Sequence, residues 1–297
     1  MDFTLALPPD FSFRQTLMAH GWRRLAPFSC DDEAGMLRRI ERLVDGRVVL
    51  IALAEDGADR LRVDIPAPAN EQEIEGIVRR MLQLDLPVER FHAYCATQSR
   101  LAHIPSTGQG RVLISPTLWE DVVKVIATTN TTWAQTIGMT SRVCAHFGLH
   151  LPPPLLGNGG PNHAFPTPEQ IAAVPFEEFA EKAKLGYRAG AVHGLARNIV
   201  EGRIDLESFR DPAIPSEELW KKLLALRGVG PYAAACLMIY LGRYDRVNVD
   251  SWARTMVSKE LGRKVTDKEV HAFFEPHGEW RALVYHFYPW REDPPAY

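Results

Sequence analysis

A glycine-containing hairpin in the C-terminal half constrains the fold more than any other feature. Residues 216–254 read SEELWKKLLALRGVGPYAAACLMIYLGRYDRVNVDSWAR. Ser216 suits the cap of a first helix, whose leucines recur at helical spacing. That helix must end at Gly228 and Gly230, which accept dihedral angles that other residues resist, and Pro231 suits the first turn of a second helix. The second helix is almost wholly apolar, so the pattern predicts that it is buried.

The turn between these helices is also a place where an anion can bind. Backbone N–H groups are bared at the start of a helix, and Gly228, Val229 and Gly230 let a phosphate approach without a side chain in the way. A phosphodiester held like this is bound without regard to base sequence. Asp250 follows Tyr232 by eighteen residues and lies near the same helix start if the chain doubles back. An ordinary helical hairpin, with Asp250 only capping the next helix, fits the same pattern.

The charge of the chain is concentrated around the hairpin. The formal net charge is −3, but residues 184–264 hold 14 Lys and Arg against 9 Asp and Glu, a net of +5 that leaves −8 for the rest. A phosphate-binding surface requires such a concentration of positive charge. Solvated helix faces produce the same asymmetry, so the pattern supports phosphate binding only mildly.

Composition places the chain among globular proteins with room for two domains. It has 297 residues, of which 46% are hydrophobic and 24% are charged. The longest apolar run, residues 232–241, is half a membrane span, and the first thirteen residues hold no Lys or Arg for a signal peptide. We therefore expect a cytoplasmic protein without membrane contact. The four cysteines are widely scattered and predict reduced, mostly buried thiols.

The N-terminal third has the pattern of an α+β unit. Strand-like runs at residues 48–53 and 61–65 flank Asp56 and Gly57, which predicts an antiparallel pair. A helix with one apolar face follows, and Asn70 is its predicted cap.

A loop rich in helix breakers at residues 105–111 marks the predicted domain boundary. The predicted fold class is thus α+β. An antiparallel sheet with helices occupies residues 1–110, and an all-α unit occupies residues 111–297, with the hairpin at about 216–242.

Polar residues interrupt two helical patterns near the start of the second unit. Asn130 stands among threonines that include Thr129 and Thr131, and such hydroxyl and amide groups suit contact with phosphates and base edges. A loop with capping threonines is an equally good interpretation. Further along, Tyr187 and Arg188 open another predicted helix, where a packing and salt-bridge role is the favoured interpretation.

Three blocks together carry a family resemblance. LRGVGPYAA followed by VNVDSWAR resembles the helix-hairpin-helix and Gly/Pro-Asp signature of the DNA glycosylases, which include endonuclease III, 8-oxoguanine DNA glycosylase and 3-methyladenine DNA glycosylase II. LGYRAGAVHGLARNI at 185–199 and VIATTNTTWAQTIGMTSRVCAHFG at 125–148 look like further blocks of this family. The resemblance extends over about 110–290. It implies a DNA glycosylase of base excision repair that acts as a monomer on double-stranded DNA containing damaged bases.

The resemblance also assigns roles to residues. It makes Asp250 the catalytic carboxylate that stabilises positive charge on the sugar. The damaged base leaves the stack and enters a pocket beside Tyr232 and Trp133. Asn130 then fills the gap left in the duplex. The expected DNA contacts further include Thr129, Thr131, Arg227, Gly228, Val229 and Gly230.

Tyr232 decides the expected subclass. Bifunctional relatives carry a lysine here that attacks the sugar carbon, and tyrosine cannot form that Schiff base. The 3-methyladenine branch carries an aromatic residue, which can stack on an electron-poor alkylated base. The sequence therefore predicts a monofunctional glycosylase that uses water and releases alkylated purines. It departs here from the 8-oxoguanine branch, which it resembles at Asn130 and at residues 186–189.

No cofactor is expected, but whether the hairpin binds a monovalent cation is left open. Endonuclease III-like members hold an iron–sulfur cluster through four clustered cysteines near the C-terminus, and no cysteine follows Cys236. The family hairpin often holds a monovalent cation through backbone carbonyls, here those of Leu224, Leu226 and Val229. Carbonyl ligands leave no side-chain signature, so the sequence neither supports nor excludes this ion.

Three other functions fit parts of the pattern. A lesion-sensing protein that binds DNA without catalysis would keep the hairpin, but the presence of Asp250 argues against it. An enzyme that binds a nucleotide phosphate at the turn would need a strand before the glycines, where a helix is predicted. A glycosylase for oxidised or deaminated bases remains open, because one sequence does not reveal the shape of the pocket.

Overall fold

The N-terminal part of the molecule is built around one antiparallel sheet. The computed structural model describes residues 1–153 and 160–290, so the end of the predicted second unit lies outside the described residues. The strands are β1 (Asp2–Ala6), β2 (Phe28–Asp31), β3 (Met36–Arg42), β4 (Val48–Glu55) and β5 (Arg60–Asp64). They form a five-stranded sheet in the order β1-β5-β4-β3-β2. The predicted pair on either side of Asp56 and Gly57 is confirmed as β4 and β5.

Alternation along the strands determines which face of the sheet is buried. In the pair β4 and β5, Leu53 lies opposite Val63, and both side chains are buried. Their neighbours of the same parity, Ile51 and Leu61, are fully buried as well. Successive strand residues point to opposite faces, so this set forms one apolar surface against the helices.

The rest of the described chain is helical. The helices are α1 (Phe13–Met18), α2 (Glu71–Met81), α3 (Glu89–Ala96), α4 (His103–Thr107), α5 (Leu118–Thr128), α6 (Trp133–Phe147), α7 (Pro168–Ala172), α8 (Phe176–Ala183), α9 (Ala189–Val200), α10 (Ser216–Leu224), α11 (Pro231–Tyr240), α12 (Ser251–Leu261), α13 (Asp267–Phe274) and α14 (Arg281–Phe287). The predicted fold, a sheet unit followed by a helical core, is confirmed. The boundary near residue 110 stays a prediction.

Two helix caps were predicted from the sequence, and the structure confirms one of them. Ser216 does not cap α10: the Pro215 carbonyl accepts the Leu219 N–H at 2.9 Å, so the cap position falls on Pro215 and Ser216 is already helical. Asn70 does cap α2, through its side chain and the Glu73 N–H. None of the helices in the described ranges combines the length and the apolar content that a membrane crossing needs.

Buried polar contacts join the sheet to α5. The Arg39 guanidinium of β3 donates to Glu120 at 2.9 Å, and the Lys124 ammonium lies 2.7 Å from the same carboxylate. The Trp22 indole N–H donates to Asp121 at 2.9 Å. These contacts fix the sheet unit against the middle of α5, whose C-terminal end reaches the site described next.

Candidate nucleic-acid interface and base cavity

The predicted hairpin is formed by α10 and α11. Its two glycines are required for different structural reasons. Gly228 has a φ of +87°, and a Cβ added there would lie 2.7 Å from the Ala191 Cβ of α9, so only glycine fits. Gly230 is the cap residue of α11 and has extended backbone. A Cβ added at Gly230 would meet nothing within 4 Å. The start of α11 is therefore open to an approaching phosphate.

The hairpin turn forms one wall of an open groove. This outer groove has a volume of about 810 Å³ and is lined by residues 128–131, 228–233 and 249–251 together with Tyr187 and Arg254. It brings together most of the DNA-contact residues that the sequence predicted, from the polar loop and from the turn. Arg254 was not among these predicted contacts but also lines the groove, and its guanidinium pairs with Asp267 at 2.7 Å.

One predicted DNA contact lies elsewhere. Arg227 is exposed, but its guanidinium lies against Gly190 of α9 and does not line the outer groove. The sequence placed Arg227 beside the turn because it precedes Gly228 directly. The positive φ at Gly228 turns the chain, so adjacent residues face different surfaces.

The polar loop is held in place by Arg188. This mostly buried side chain donates to the carbonyl oxygens of Thr129 and Asn130, the latter at 3.2 Å. Within the described residues, Arg188 makes these carbonyl contacts where a salt bridge was expected. Asn130 has a φ of +46°, and its amide donates to the Tyr187 hydroxyl at 3.2 Å. The loop thus presents the exposed Asn130 side chain to the groove in a fixed position.

Behind the groove lies an inner cavity of about 660 Å³. Its lining side chains come from residues 15–23, 103–109, 128–136, 232–240, 248–252 and 285–290. Trp133, the predicted pocket residue, packs directly on Gly21 of the N-terminal unit, where an added Cβ would lie 2.2 Å from the indole ring. Aromatic side chains form much of the remaining wall, among them Tyr232, Trp252, Tyr285 and Trp290. A flat aromatic ligand fits such a lining.

Four residues border both the outer groove and the inner cavity. These threshold residues are Thr128, Thr131, Tyr232 and Asp250. The Asp250 carboxylate accepts the Ala253 N–H at 2.8 Å, so it caps α12 as well as facing the two spaces. The capping role and the cavity position are therefore compatible.

Burial favours the neutral forms of the titratable groups at the site. Burial raises the pKa of Asp250 above its ordinary value, against N–H groups at the start of α12 that lower it. The adjacent Cys236, burial and Asp250 raise the pKa of Tyr232, so its hydroxyl stays protonated. Burial lowers the pKa of His20 to about 3 and that of His286 to about 4, so both imidazoles are neutral at pH 7.

Sequence reasoning missed the residues that complete the cavity. His20, Asn248 and His286 line it without any motif to mark them, and they come from opposite ends of the chain. Tyr285 and Trp290 had been interpreted as core residues; they pack in the core and line the cavity at once. Only the docking of the sheet unit on the helical core brings these segments together.

The hairpin cation stays a prediction. Of the three predicted ligands, the Leu226 carbonyl oxygen accepts the Val229 N–H at 3.0 Å and keeps a second lone pair for a cation. Leu224 and Val229 belong to the same turn. Within residues 1–153 and 160–290 there is no group of three His, Cys, Asp or Glu side chains placed to hold a metal ion.

Comparison with known proteins connects this geometry to sequence relatives. The chain is 30% identical to the N-glycosylase/DNA lyase OGG1 of Arabidopsis thaliana over 177 residues, 54% of this chain and 46% of that protein. It is 22% identical to the N-glycosylase/DNA lyase of Saccharomyces cerevisiae over 178 residues, 57% of this chain and 46% of that protein. It thus spans about half the length of these two relatives.

Solved structures share the fold over nearly the whole chain. MBOgg1, solved in complex with a low affinity DNA ligand, superposes with a TM-score of 0.74 at 22% identity, covering 96% of this chain and 95% of that one. The 3-methyladenine DNA-glycosylase from Archaeoglobus fulgidus superposes with a TM-score of 0.71 at 19% identity, covering 96% and 97%.

A family model supplies the assignment. The model described as HhH-GPD superfamily base excision DNA repair protein matches residues 123–276. This match covers more than half of the chain and includes the polar loop, the hairpin and Asp250. The resemblance found in the sequence is thereby confirmed, and the chain belongs to the helix-hairpin-helix Gly/Pro-Asp superfamily of base excision DNA repair proteins.

Proposed function

We propose that this protein is a monofunctional DNA glycosylase of base excision repair. It hydrolyses the N-glycosidic bond of an everted alkylated purine and leaves an abasic site. The observation that carries this proposal is the position of Asp250 on the threshold between the outer groove and the inner cavity. The groove suits a DNA backbone and the cavity suits a flat base, so the carboxylate lies next to the sugar that connects them.

Backbone binding follows from the shape and charge of the outer groove. The open start of α11 at Gly230 offers N–H groups to a phosphate, and Arg254, which also pairs with Asp267, lines the same groove. These contacts carry no base information, as a repair enzyme that scans DNA requires. Asn130, whose carbonyl oxygen accepts from Arg188, is the residue proposed to occupy the gap left by the everted nucleotide.

The reaction needs one carboxylate and one water. When the N-glycosidic bond breaks, its electron pair leaves with the base and positive charge develops on the sugar. Ionised Asp250 stabilises that charge. Removing one stabilising group of this kind from an enzyme active site typically slows the reaction about 10²- to 10³-fold. Water then adds to C1′ and loses a proton, which completes the hydrolysis.

The identity of the nucleophile is supported by the lining residues. No lysine is found among the described residues that border the outer groove or the inner cavity. The buried Lys124 lies outside both and pairs with Glu120 at 2.7 Å. Tyr232, at the place of the family lysine, keeps its proton and cannot form a Schiff base. Water is therefore the proposed nucleophile.

The aromatic walls favour alkylated purines as substrates. Alkylation at a ring nitrogen gives the purine a positive charge, which aromatic faces such as those of Tyr232 and Trp252 attract by cation–π interaction. Neutral His20 and His286 do not oppose that charge. An oxidised purine is the second candidate, because the sequence relatives are named N-glycosylase/DNA lyase and one of them OGG1.

The proposal is tested by identifying released bases. Duplex DNA carrying mixed alkylation, oxidation and deamination damage is incubated with the protein, and free bases are identified by mass spectrometry. We expect methylated purines among the products and none with Asp250→Asn. Release of oxidised purines alone would support the second candidate. No release at all, with DNA still bound, would indicate a lesion-sensing protein.

Borohydride trapping separates hydrolysis from lyase chemistry. The wild-type protein should give no covalent adduct with damaged DNA, because no lysine borders the groove or the cavity among the described residues. Tyr232→Lys is the matched positive control, since it places an amine on the threshold, and it should become trappable. An adduct with the wild-type protein would contradict the monofunctional assignment.

A further inference from the structure

Polar atoms without a hydrogen-bond partner collect around the inner cavity. Among the described residues, several of its side chains carry such an atom, each shielded from solvent; they include Gln109 Oε1, Asn248 Oδ1 and Trp252 Nε1. Folded proteins leave few buried polar atoms unpaired, because an unmade hydrogen bond is costly, and those that remain need an explanation. A polar ligand inside the cavity would supply the missing partners.

Among these groups, Asn248 has the side chain best suited to accept a hydrogen bond from a ligand. Its side chain is only 8% exposed and hydrogen-bonds the Cys236 thiol. Because Oδ1 has no partner, the amide N–H is the group that donates to the sulfur. The bond to Cys236 fixes the amide, and its carbonyl oxygen remains an unused acceptor. Asn248 lies two residues before Asp250, so the same short segment carries both groups.

The position of Asn248 indicates which part of a nucleotide it meets. It lines the inner cavity but does not border the outer groove, whereas Asp250 borders both. The sugar belongs at the threshold beside Asp250, and the base belongs beyond it. A water that attacks C1′ opposite the departing base comes from the other side of the sugar. Asn248 therefore lies on the side of the base, away from the path of the water.

We propose that Asn248 is a specificity-determining residue whose carbonyl oxygen accepts a hydrogen bond from an N–H group of the everted base. This inference rests on the proposed function and names its substrate class more narrowly. The favoured bases are alkylated purines that keep an exocyclic amino or ring N–H group, such as 7-methylguanine. Purines whose N–H groups are blocked, such as 1,N6-ethenoadenine, leave the acceptor unpaired and are disfavoured.

The test compares two substrates and two variants. Release of 7-methylguanine and of 1,N6-ethenoadenine from duplex DNA is measured for the wild type, for Asn248→Leu and for Asn248→Asp. Leucine has a similar size but no acceptor, so 7-methylguanine release should fall about 10- to 100-fold while 1,N6-ethenoadenine release changes less than about threefold. Aspartate keeps an acceptor oxygen and should retain most of the preference.

Two further measurements keep the test decisive. Binding of the same two duplexes is measured for Asp250→Asn alone and for Asp250→Asn combined with Asn248→Leu. Because Asp250→Asn does not release the base, the affinities give the preference between the two substrates even where turnover is too slow to measure. Thermal unfolding of Asn248→Leu should show a midpoint within about 2 °C of the wild type, since leucine removes an unpaired buried acceptor together with the hydrogen bond to Cys236. A mainly structural role for Asn248 would lower the midpoint by more than this.

The outcomes separate this inference from the proposed function. If the wild type releases neither base, the proposed function fails and the inference fails with it. If the wild type releases bases but Asn248→Leu lowers both rates equally, or changes neither, only the role of Asn248 is overturned. A loss confined to 7-methylguanine, with stability retained, is the expected result.

Discussion

Two buried polar regions meet α5, and they differ in how their polar groups are paired. In the middle of the helix, Glu120 binds Arg39 and Lys124, and these three side chains are at most 2% exposed. At its end, Thr128 borders the inner cavity, where buried polar atoms such as Asn248 Oδ1 lack partners within the described residues. Groups that satisfy one another hold the fold together. Unsatisfied groups that line a cavity are available to a ligand.

The same difference is visible in two carboxylates. Burial alone would raise the pKa of Glu120, but Arg39 and Lys124 overcome it and hold that pKa at about 2. Burial raises the pKa of Asp250 above its ordinary value, although the N–H groups at the start of α12 and Arg254 lower it in part. Glu120 therefore stays charged at any ordinary pH, whereas burial disfavours the charged form of Asp250. The first carboxylate joins the sheet to α5, and the second borders the outer groove and the inner cavity.

Removing the structural carboxylate should have the largest effect. Glu120→Gln leaves Lys124 buried without its carboxylate partner and Arg39 with Glu41 alone, and we expect the free energy of unfolding to fall by about 3–5 kcal/mol. Chemical denaturation measures this. The matched control is Glu218→Gln, which breaks an exposed pair of the same spacing with Lys222 at 3.6 Å and should cost less than about 0.5 kcal/mol. Equal losses in the two variants would refute the contrast between the two regions.

Replacing the proposed catalytic carboxylate, Asp250, should reduce activity strongly and leave stability almost unchanged. Asp250→Asn keeps a residue that caps α12 well, so the free energy of unfolding should change by less than about 0.5 kcal/mol. Base release should fall about 10³-fold, because the charge proposed to stabilise the sugar is lost. Single-turnover release and DNA affinity are measured together. Turnover near the wild-type rate would remove Asp250 from the mechanism.

The sequence predicted the parts of the site that local patterns encode. The hairpin of α10 and α11 follows from glycines, a proline and periodic leucines, and the structure confirms it. Asp250 and Tyr232 were found because each stands at a fixed distance from that turn. Their roles in the reaction stay predictions, although both lie on the threshold as expected.

Contacts between distant segments were not predictable in the same way. Gly21, Asn248 and Trp290 meet at one cavity although more than two hundred residues separate the first from the others. Glu120 and Lys124 have the spacing of an ordinary exposed helix pair, and only the sheet docked above them buries their charges. Both features depend on how two units pack, which periodicity along one helix does not reveal.

The pH dependence of stability would test the buried contacts between the sheet unit and α5. Burial raises the pKa of Asp121 to about 6, although Trp22 and Ser115 donate to it. Its protonated form is therefore favoured in the folded state, and the stability it contributes is present below about pH 4 and lost as pH rises through 6. The difference in unfolding free energy between wild type and Asp121→Asn should change by up to about 3 kcal/mol across that window. A constant difference would contradict the assigned burial effect.

Tyr232 provides the smallest and most specific test of the ligand-binding region. Its ring borders the cavity, while its hydroxyl lies near the Cys236 thiol. If the ring acts by stacking on the base, Tyr232→Leu should slow release of methylated purines about 5- to 10-fold, and Tyr232→Phe should stay within about twofold. Release rates at equal DNA occupancy measure this. A loss as large in phenylalanine as in leucine would assign the effect to the hydroxyl, and the cavity would then select its ligand by hydrogen bonds at the threshold as well as at Asn248.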